Sequence, residues 1–205
     1  MKCLYCDKEI KKYSLYSLFL EDDSLCLECR KKLNLKRKSF KVNGIKAESF
    51  YEYDSLFKTL LIQYKECYDE ALCKVFLYKI DAYISLKYLG YKILYVPSSK
   101  EKLSQRGFKH LELIFKPLGL KELNGLHMKQ ELIQEGKNSN ERSKMEDNYY
   151  YDGPYCRRVL IVDDVYTTGS SIKGVIKALN GRYGKLRVIT LAKSGDKKKG
   201  LSLGK

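Results

Sequence analysis

The sequence predicts an α/β fold: an open, mostly parallel sheet flanked by helices, with a small separate module in front of it. Three observations carry that prediction. The run Val159–Leu160–Ile161–Val162 is apolar and mostly β-branched, the pattern of a strand buried on both faces. Ile172, Val175, Ile176 and Leu179 then recur at helical spacing, and the β-rich run from Leu186 to Ala192 completes a parallel β-α-β unit. Well ahead of this pattern, four of the seven cysteines fall into two Cys-x-x-Cys pairs.

A chain of 205 residues can bury one full core plus a small appendage. No apolar run reaches transmembrane length, and the N-terminus lacks the charged-then-apolar pattern of a signal peptide. A cytosolic protein is therefore expected, with its cysteines held as thiols or metal ligands rather than disulfides. Forty Lys and Arg against 25 Asp and Glu give a formal charge of +15. Such a field favours nucleic acid or another polyanion as a partner. Abundant lysine and tyrosine with no tryptophan are also what a codon bias produces.

At the front, Cys3-x-x-Cys6 and Cys26-x-x-Cys29 are separated by 19 residues, the spacing of a four-cysteine zinc ribbon or finger. Each x-x turn aims two thiolates at one side of a tetrahedron. With all four ligands supplied by protein no position remains for water, so the expected Zn²⁺ is structural. A segment this poor in apolar residues would draw its folding free energy from the metal. Disulfides or a redox pair are the alternative, disfavoured by the second pair and by the cytosolic context. Arg30–Lys31–Lys32 and Lys36–Arg37–Lys38 follow, either as a phosphate-contacting patch or as a solvated linker helix. Ser39 to Ser49 holds Asn43–Gly44 and little periodicity, so a domain boundary is expected there. That divides the chain into a cysteine module with a basic linker, residues 1–45, and a larger domain, residues 46–205.

From Tyr53 onward, Leu56, Phe57, Leu60, Leu61 and Tyr64 follow helical spacing, with Lys58 and Lys65 off the stripe. This is an amphipathic helix packing on the sheet. A second helix is expected from about Asp69 to Tyr88. Its Tyr78, Tyr83 and Tyr88 could stack single-stranded bases, but a core or interface role is the favoured reading. Cys67, Cys73 and Cys156 show no metal spacing and read as small packed hydrophobes. Lys92 to Pro97 reads as a strand, and the Ser98–Ser99–Lys100 behind it suits a second anion loop. In the stretch Leu103 to Phe108, Arg106 offers a five-donor fork suited to phosphate and Gly107 permits an unusual backbone. The alternative is a surface arginine ahead of a helix from Leu111 to Leu118. Lys193 to Lys205, with Lys197–Lys198–Lys199, reads as a frayed, solvated tail.

The chemistry concentrates where the central strand ends. Asp163 and Asp164 are followed by Val165, Tyr166, Thr167, Thr168, Gly169, Ser170 and Ser171. A strand, a tight hydroxyl-rich loop and a helix N-terminus together form an anion cradle, with unpaired N–H groups and the positive end of the helix dipole facing the loop. Gly169 would let the backbone approach the anion closely, and the hydroxyls can donate further bonds. The carboxylates would repel a phosphate; ribose hydroxyls or a hydrated Mg²⁺ suit them better. The stretch therefore reads as a site for a phosphorylated sugar. An ordinary capped strand-to-helix turn explains one acid and one hydroxyl, not this density of both. A P-loop would need Gly-x-x-x-x-Gly-Lys-Ser/Thr, and the Gly184–Lys185 pair is followed by Leu186.

Val159–Ser171 resembles the phosphoribosyl-pyrophosphate (PRPP) signature of type I phosphoribosyltransferases, in which the acid pair holds the ribose hydroxyls and the following loop the 5′-phosphate. The resemblance gives Asp163 and Asp164 the first, catalytic role and assigns PRPP binding to Tyr166, Thr167, Thr168, Gly169, Ser170 and Ser171. It makes Pro97, Ser98, Ser99, Lys100 and Arg106 the pyrophosphate side. The order of Val96–Pro97, Arg106–Gly107–Phe108 and the acid–Thr loop, behind an N-terminal cysteine module, is similar to the ComF competence proteins. These join a four-cysteine zinc module to a type I phosphoribosyltransferase-like domain. Gln134 and Arg142, eight apart, also resemble a Gln…Arg pair of that domain. Two departures stand out. The usual Asn-Gln after Arg-Gly-Phe is Lys109–His110, and the Asn expected three residues beyond Arg142 is Met145. His110 reads as helix surface before it reads as a catalytic base.

The resemblance implies a cytoplasmic competence factor, reaching the inner face of the membrane through partners, that assists incoming single-stranded DNA during natural transformation. It implies a structural Zn²⁺, a PRPP pocket with Mg²⁺, and a DNA-import helicase and recombination mediator proteins as partners. Two other readings stay open. One is a working phosphoribosyltransferase, for which no aromatic-plus-amide acceptor site is visible in the sequence. The other is a basic nucleic-acid-binding module with a vestigial pocket. Any ligand should sit at the carboxyl ends of the strands, near the switch point.

Overall fold

In the computed structural model, which describes residues 2–10, 24–129 and 148–195, the apolar run Val159–Val162 lies at the centre of strand β6 (Cys156–Tyr166) with no solvent exposure. Gln134, Arg142, Met145 and the Lys197–Lys199 run lie outside the described residues. β6 is flanked by β3 (Lys92–Tyr95) and β7 (Tyr183–Lys193), both parallel to it. With β1 (Leu35–Val42) and β2 (Ile45–Glu52) these strands form a five-stranded sheet in the order β1-β2-β7-β6-β3. Only the β1/β2 pair is antiparallel. The helix Ser170–Leu179 makes the crossover from β6 to β7, as its spacing predicts. The protein is thus mixed α/β with a mostly parallel central sheet. Residues 121–123 run beside β3, where the Ile93 N–H donates to the Lys121 carbonyl at 2.9 Å and the Leu123 N–H to that of Ile93 at 2.8 Å. A small second sheet pairs β4 (Leu126–Met128) with β5 (Tyr149–Tyr151).

The stretch from Ser39 to Ser49, expected to be an irregular linker, is instead a hairpin belonging to the main sheet. Asn43 and Gly44 have φ of 47° and 78°, the left-handed pair that a two-residue hairpin turn demands. β1 is the sheet edge, carrying four basic residues and burying only Val42, so its hydrophobic signal is weak. Lysine on an edge strand also discourages pairing with another chain. β2 pairs with β7 and buries Ala47, Phe50 and Tyr51.

The helix Ser55–Glu66 buries the five apolar residues of its stripe and is capped by Asp54, whose carboxylate accepts the Phe57 N–H at 2.8 Å. The single helix expected from Asp69 to Tyr88 is broken. A 3₁₀ turn, Glu70–Val75, gives way to a bend with Lys79 at φ 66° and then to the helix Asp81–Lys87. Val75, Phe76 and Leu77 are all buried. Three consecutive side chains span about 200° of a helix, more than one buried face covers, so the chain leaves helical geometry to turn all three inward. The tyrosines serve packing, as favoured. Tyr88 is buried edge-on to Tyr91, Tyr78 lies under the Arg30 guanidinium, and the Tyr83 hydroxyl donates to Glu48. Of the three isolated cysteines, Cys156 is buried and Cys73 partly so, but Cys67 caps the Ser55–Glu66 helix and is exposed. No helix among the described residues is long and apolar enough to cross a membrane.

Candidate functional site

The two cysteine pairs converge on one point. Cys3 and Cys29 are buried, and the four sulfurs all lie within 4.8 Å of one another, with Cys6 Sγ and Cys26 Sγ 3.7 Å apart. A tetrahedron with metal–sulfur bonds of ~2.3 Å has edges of about 3.8 Å. The cluster is therefore compatible with zinc, and no disulfide forms within it. It packs onto the body of the protein: Gln63 Nε2 donates to the Leu4 carbonyl at 3.2 Å and Ser24 Oγ to that of Ala71 at 2.8 Å. Of the six basic residues that follow, four are engaged within the protein. Arg30 Nε donates to the Leu25 carbonyl, Lys36 and Lys38 pair with Glu52, and Arg37 lies over the Tyr83 ring. Lys31 and Lys32 remain exposed.

The hydroxyl loop is placed as its sequence suggests, at the carboxyl end of β6 and the N-terminus of the ten-residue helix Ser170–Leu179. Thr167 and Thr168 are exposed. The Thr168 hydroxyl shares a 2.8 Å hydrogen bond with that of Ser170 and accepts the Ser170 N–H. Ser171 hydrogen-bonds Tyr149. Gly169 caps the helix at φ 74°, and a Cβ there would stand 2.5 Å from the Tyr166 ring. The glycine is thus required by its backbone angle and by its own chain's aromatic ring. Tyr166 in turn packs 4.7 Å from Phe40, with the Lys193 ammonium over both rings. What Tyr166 does in this structure is hold the loop's base.

Adjacent residues on a strand project to opposite faces, so Asp163 and Asp164 cannot share one environment. Asp164 is buried between two other elements: it forms an ion pair with Lys65, and its Oδ2 lies 3.0 Å from His110 Nε2. Burial alone would raise its carboxyl, but the Lys65 ammonium and then His110 outweigh this and hold it well below the usual carboxylate range. Asp163 accepts the Asp164 N–H at 2.9 Å and has no ion pair among the described residues. Its carboxyl is raised by burial and then by the negative charge of Asp164. Its strand neighbour Thr190, and Ser49 beyond, carry buried hydroxyls without hydrogen-bond partners in the described protein.

His110, expected on a helix surface, is instead buried at the start of the helix His110–Phe115. Its Nδ1 is 3.4 Å from Ser98 Oγ, and its carbonyl accepts the Tyr64 hydroxyl at 2.8 Å. Burial, joined by the charges of Lys65 and Arg106, pushes the imidazole below its ordinary value despite the bond to Asp164. A chain Ser98–His110–Asp164–Lys65 thus links the second loop to the acid pair. Composition could not reveal it, because its members come from four separate elements. Ser99 caps the helix Lys100–Arg106, accepting the Lys102 N–H. Arg106, expected to offer its fork to a phosphate, is buried: its Nε donates to the Lys65 carbonyl at 3.0 Å, which ties down the end of the Ser55–Glu66 helix. Past the end of β3, from Tyr95 to Ser98, a cleft of about 350 Å³ opens, with Ser98 and His110 in its wall.

The central strand of a mostly parallel α/β sheet thus carries an acid pair and a hydroxyl loop at its carboxyl end, with a four-cysteine cluster in front. Across 206 aligned residues the chain is 26% identical to the competence protein ComFC of Streptococcus pneumoniae (strain ATCC BAA-255 / R6), an alignment covering 87% of this chain and 93% of that protein. The resemblance to the ComF competence proteins therefore extends over most of the chain. No family model matches. Among solved structures, a hypoxanthine phosphoribosyltransferase from Staphylococcus aureus is similar with a TM-score of 0.35 at 19% identity, over 63% of this chain and 65% of that one.

Proposed function

We propose that this protein is a ComF-like competence factor that assists the handling of incoming single-stranded DNA, and that its hydroxyl loop and acid pair hold PRPP or a related phosphorylated pentose. The observation carrying the sugar-phosphate reading is the exposed Thr167–Thr168 pair at the head of a ten-residue helix, directly beyond Asp163 and Asp164. Helix N–H groups and the dipole favour the 5′-phosphate there, and the threonine hydroxyls add donors. Asp163, not committed to a lysine, is the carboxyl group whose oxygen accepts from a ribose hydroxyl. Asp164, neutralised by Lys65 and hydrogen-bonded by His110, keeps a second negative charge from facing the phosphate. Mg²⁺ in this reading travels with the pyrophosphate and neutralises it. The similarity to a competence protein and the charge of +15 support the DNA role in the cytoplasm, with a DNA-import helicase and recombination mediators as partners.

A working phosphoribosyltransferase is the second reading, favoured by the cleft beside His110 next to the acid pair. Calorimetry with PRPP and Mg²⁺ tests the pocket, and release of pyrophosphate across a panel of acceptors tests turnover. Titration of an oligonucleotide against salt tests the DNA role. A steep fall of log affinity with log salt supports phosphate contacts, and a flat response removes them.

A further inference from the structure

We infer that the seam between the cysteine module and the main sheet binds a carboxylate carried beside an apolar side chain, as an acidic segment of a partner protein presents it. A cavity of about 290 Å³ opens there, between the helix Leu27–Lys32 and β1 on one side and β2 and the bend at Lys79 on the other. That is room for one side chain and the groups beside it. The chemistry of its walls sets what enters.

Every charged residue of the lining is a cation: Arg30, Lys31 and Lys79. The acids on the neighbouring elements are engaged elsewhere, Glu28 with Lys8 at 2.9 Å and Glu52 with Lys36 and Lys38. Lys31 and Lys79 are exposed and have no ion pair among the described residues. Three like charges around one cavity repel one another, and an anion between them relieves that repulsion. Arg30 is already oriented for it. Its Nε donates to the Leu25 carbonyl at 3.0 Å and its guanidinium lies 4.7 Å over the Tyr78 ring, so little freedom is lost on binding. Lys79 is held at φ 66°, an uncommon backbone for a lysine, which fixes where its side chain leaves the bend. The rest of the lining is apolar. Leu27 and Leu35 are 51% and 49% exposed, and Leu33 is half-buried. An apolar side chain next to an acid satisfies both kinds of wall at once. A nucleic-acid strand does not. It would set a polar sugar against the leucines, and the two aromatic rings offer no open platform for a base. Tyr51 is buried and stacked on Phe57 at 5.3 Å, and Tyr78 carries both Arg30 and the Lys79 ammonium over its ring. The cavity shares no residue with the hydroxyl loop, the acid pair or the cleft beside His110, so the site stands whether or not a sugar phosphate binds.

The test is a chemical-shift titration of the zinc-loaded full chain with three capped peptides: Ser-Asp-Leu-Asp-Ser, Ser-Asn-Leu-Asn-Ser without the charge, and Ser-Asp-Ser-Asp-Ser without the apolar side chain. The first should bind about ten-fold or more tighter than either other, since each of those loses one of the two contacts. Its shifts should centre on Tyr78, Lys79 and the helix Leu27–Lys32. Lys31→Ala/Lys79→Ala, at two exposed positions, should remove most of that affinity while the remaining spectrum stays that of the folded protein. Lys31→Arg/Lys79→Arg should keep it, and Lys31→Glu/Lys79→Glu should move the preference to Ser-Lys-Leu-Lys-Ser. Equal binding of the uncharged or the leucine-free peptide, no binding by any of the three, or an alanine variant that binds as wild type does would each overturn the assignment. Displacement of the first peptide from this cavity by an oligothymidylate would give the site to nucleic acid instead. PRPP affinity measured on the same samples should be unchanged in the lysine variants, which separates this site from the sugar-phosphate reading.

Discussion

Replacing Lys65 by methionine removes the cation nearest to Asp164 while keeping most of the side chain's packing. The two side chains are 21% and 12% exposed, so the pair is largely shielded from water. Removing one member of a buried pair costs about 3–5 kcal/mol because the other charge is stranded. Here two features reduce that figure: Lys65 is partly wetted, and Asp164 keeps the His110 bond at 3.0 Å. A loss of about 2–3 kcal/mol is therefore expected, read as a lower urea midpoint at pH 7. Asp164→Asn should cost less, because the freed Lys65 can reach solvent. The double variant should fall short of the sum by about 1–2 kcal/mol. Asp164's carboxyl is depressed in the fold, so its contribution is fully present above the unfolded carboxylate value near ~4 and fades as pH falls below it. The gap between wild type and Lys65→Met should accordingly hold from neutral pH down to that point and then narrow. A cost below about 0.5 kcal/mol, or strict additivity with Asp164→Asn, would mean that Lys65 and Asp164 are not an energetically coupled, shielded pair.

Gly169→Ala should destabilise by about 1–3 kcal/mol in the same urea assay, because alanine is strained at a φ of 74° and its methyl meets the Tyr166 ring. Adding Tyr166→Ala should recover the steric part and not the backbone part; full recovery would mean that the backbone angle carries no cost. The purified chain should hold one zinc, with Cys29→Ser reducing metal content and chelation lowering the unfolding temperature. An unchanged transition on chelation would remove the metal from the account of stability.

The central strand was legible because an apolar run bounded by acids has few other readings, and the Ser55–Glu66 helix because its stripe is regular. The hairpin was hidden by its chemistry. Lys36, Arg37 and Lys38 give β1 the look of a solvated linker, and Asn43–Gly44, a strong turn signal, fits a boundary as well as a hairpin. The site was only partly visible. Thr167 to Ser171 announce themselves locally, whereas Lys65 and His110 look like ordinary surface residues in one dimension. They become functional candidates only because the fold carries them to Asp164, with His110 and Asp164 54 positions apart in the chain. Arg106 shows the converse: a residue type suited to phosphate, which folding turns onto a backbone carbonyl.

Calorimetry of PRPP with Mg²⁺ against wild type, Asp163→Asn and Thr167→Val/Thr168→Val tests the sugar-phosphate site most directly. Wild type should bind saturably at one to one, and each variant about ten-fold or more weakly, since each loses a hydrogen bond to a charged or closely held group. Equal affinity in all three proteins, or no heat with wild type, would contradict the sugar-phosphate reading.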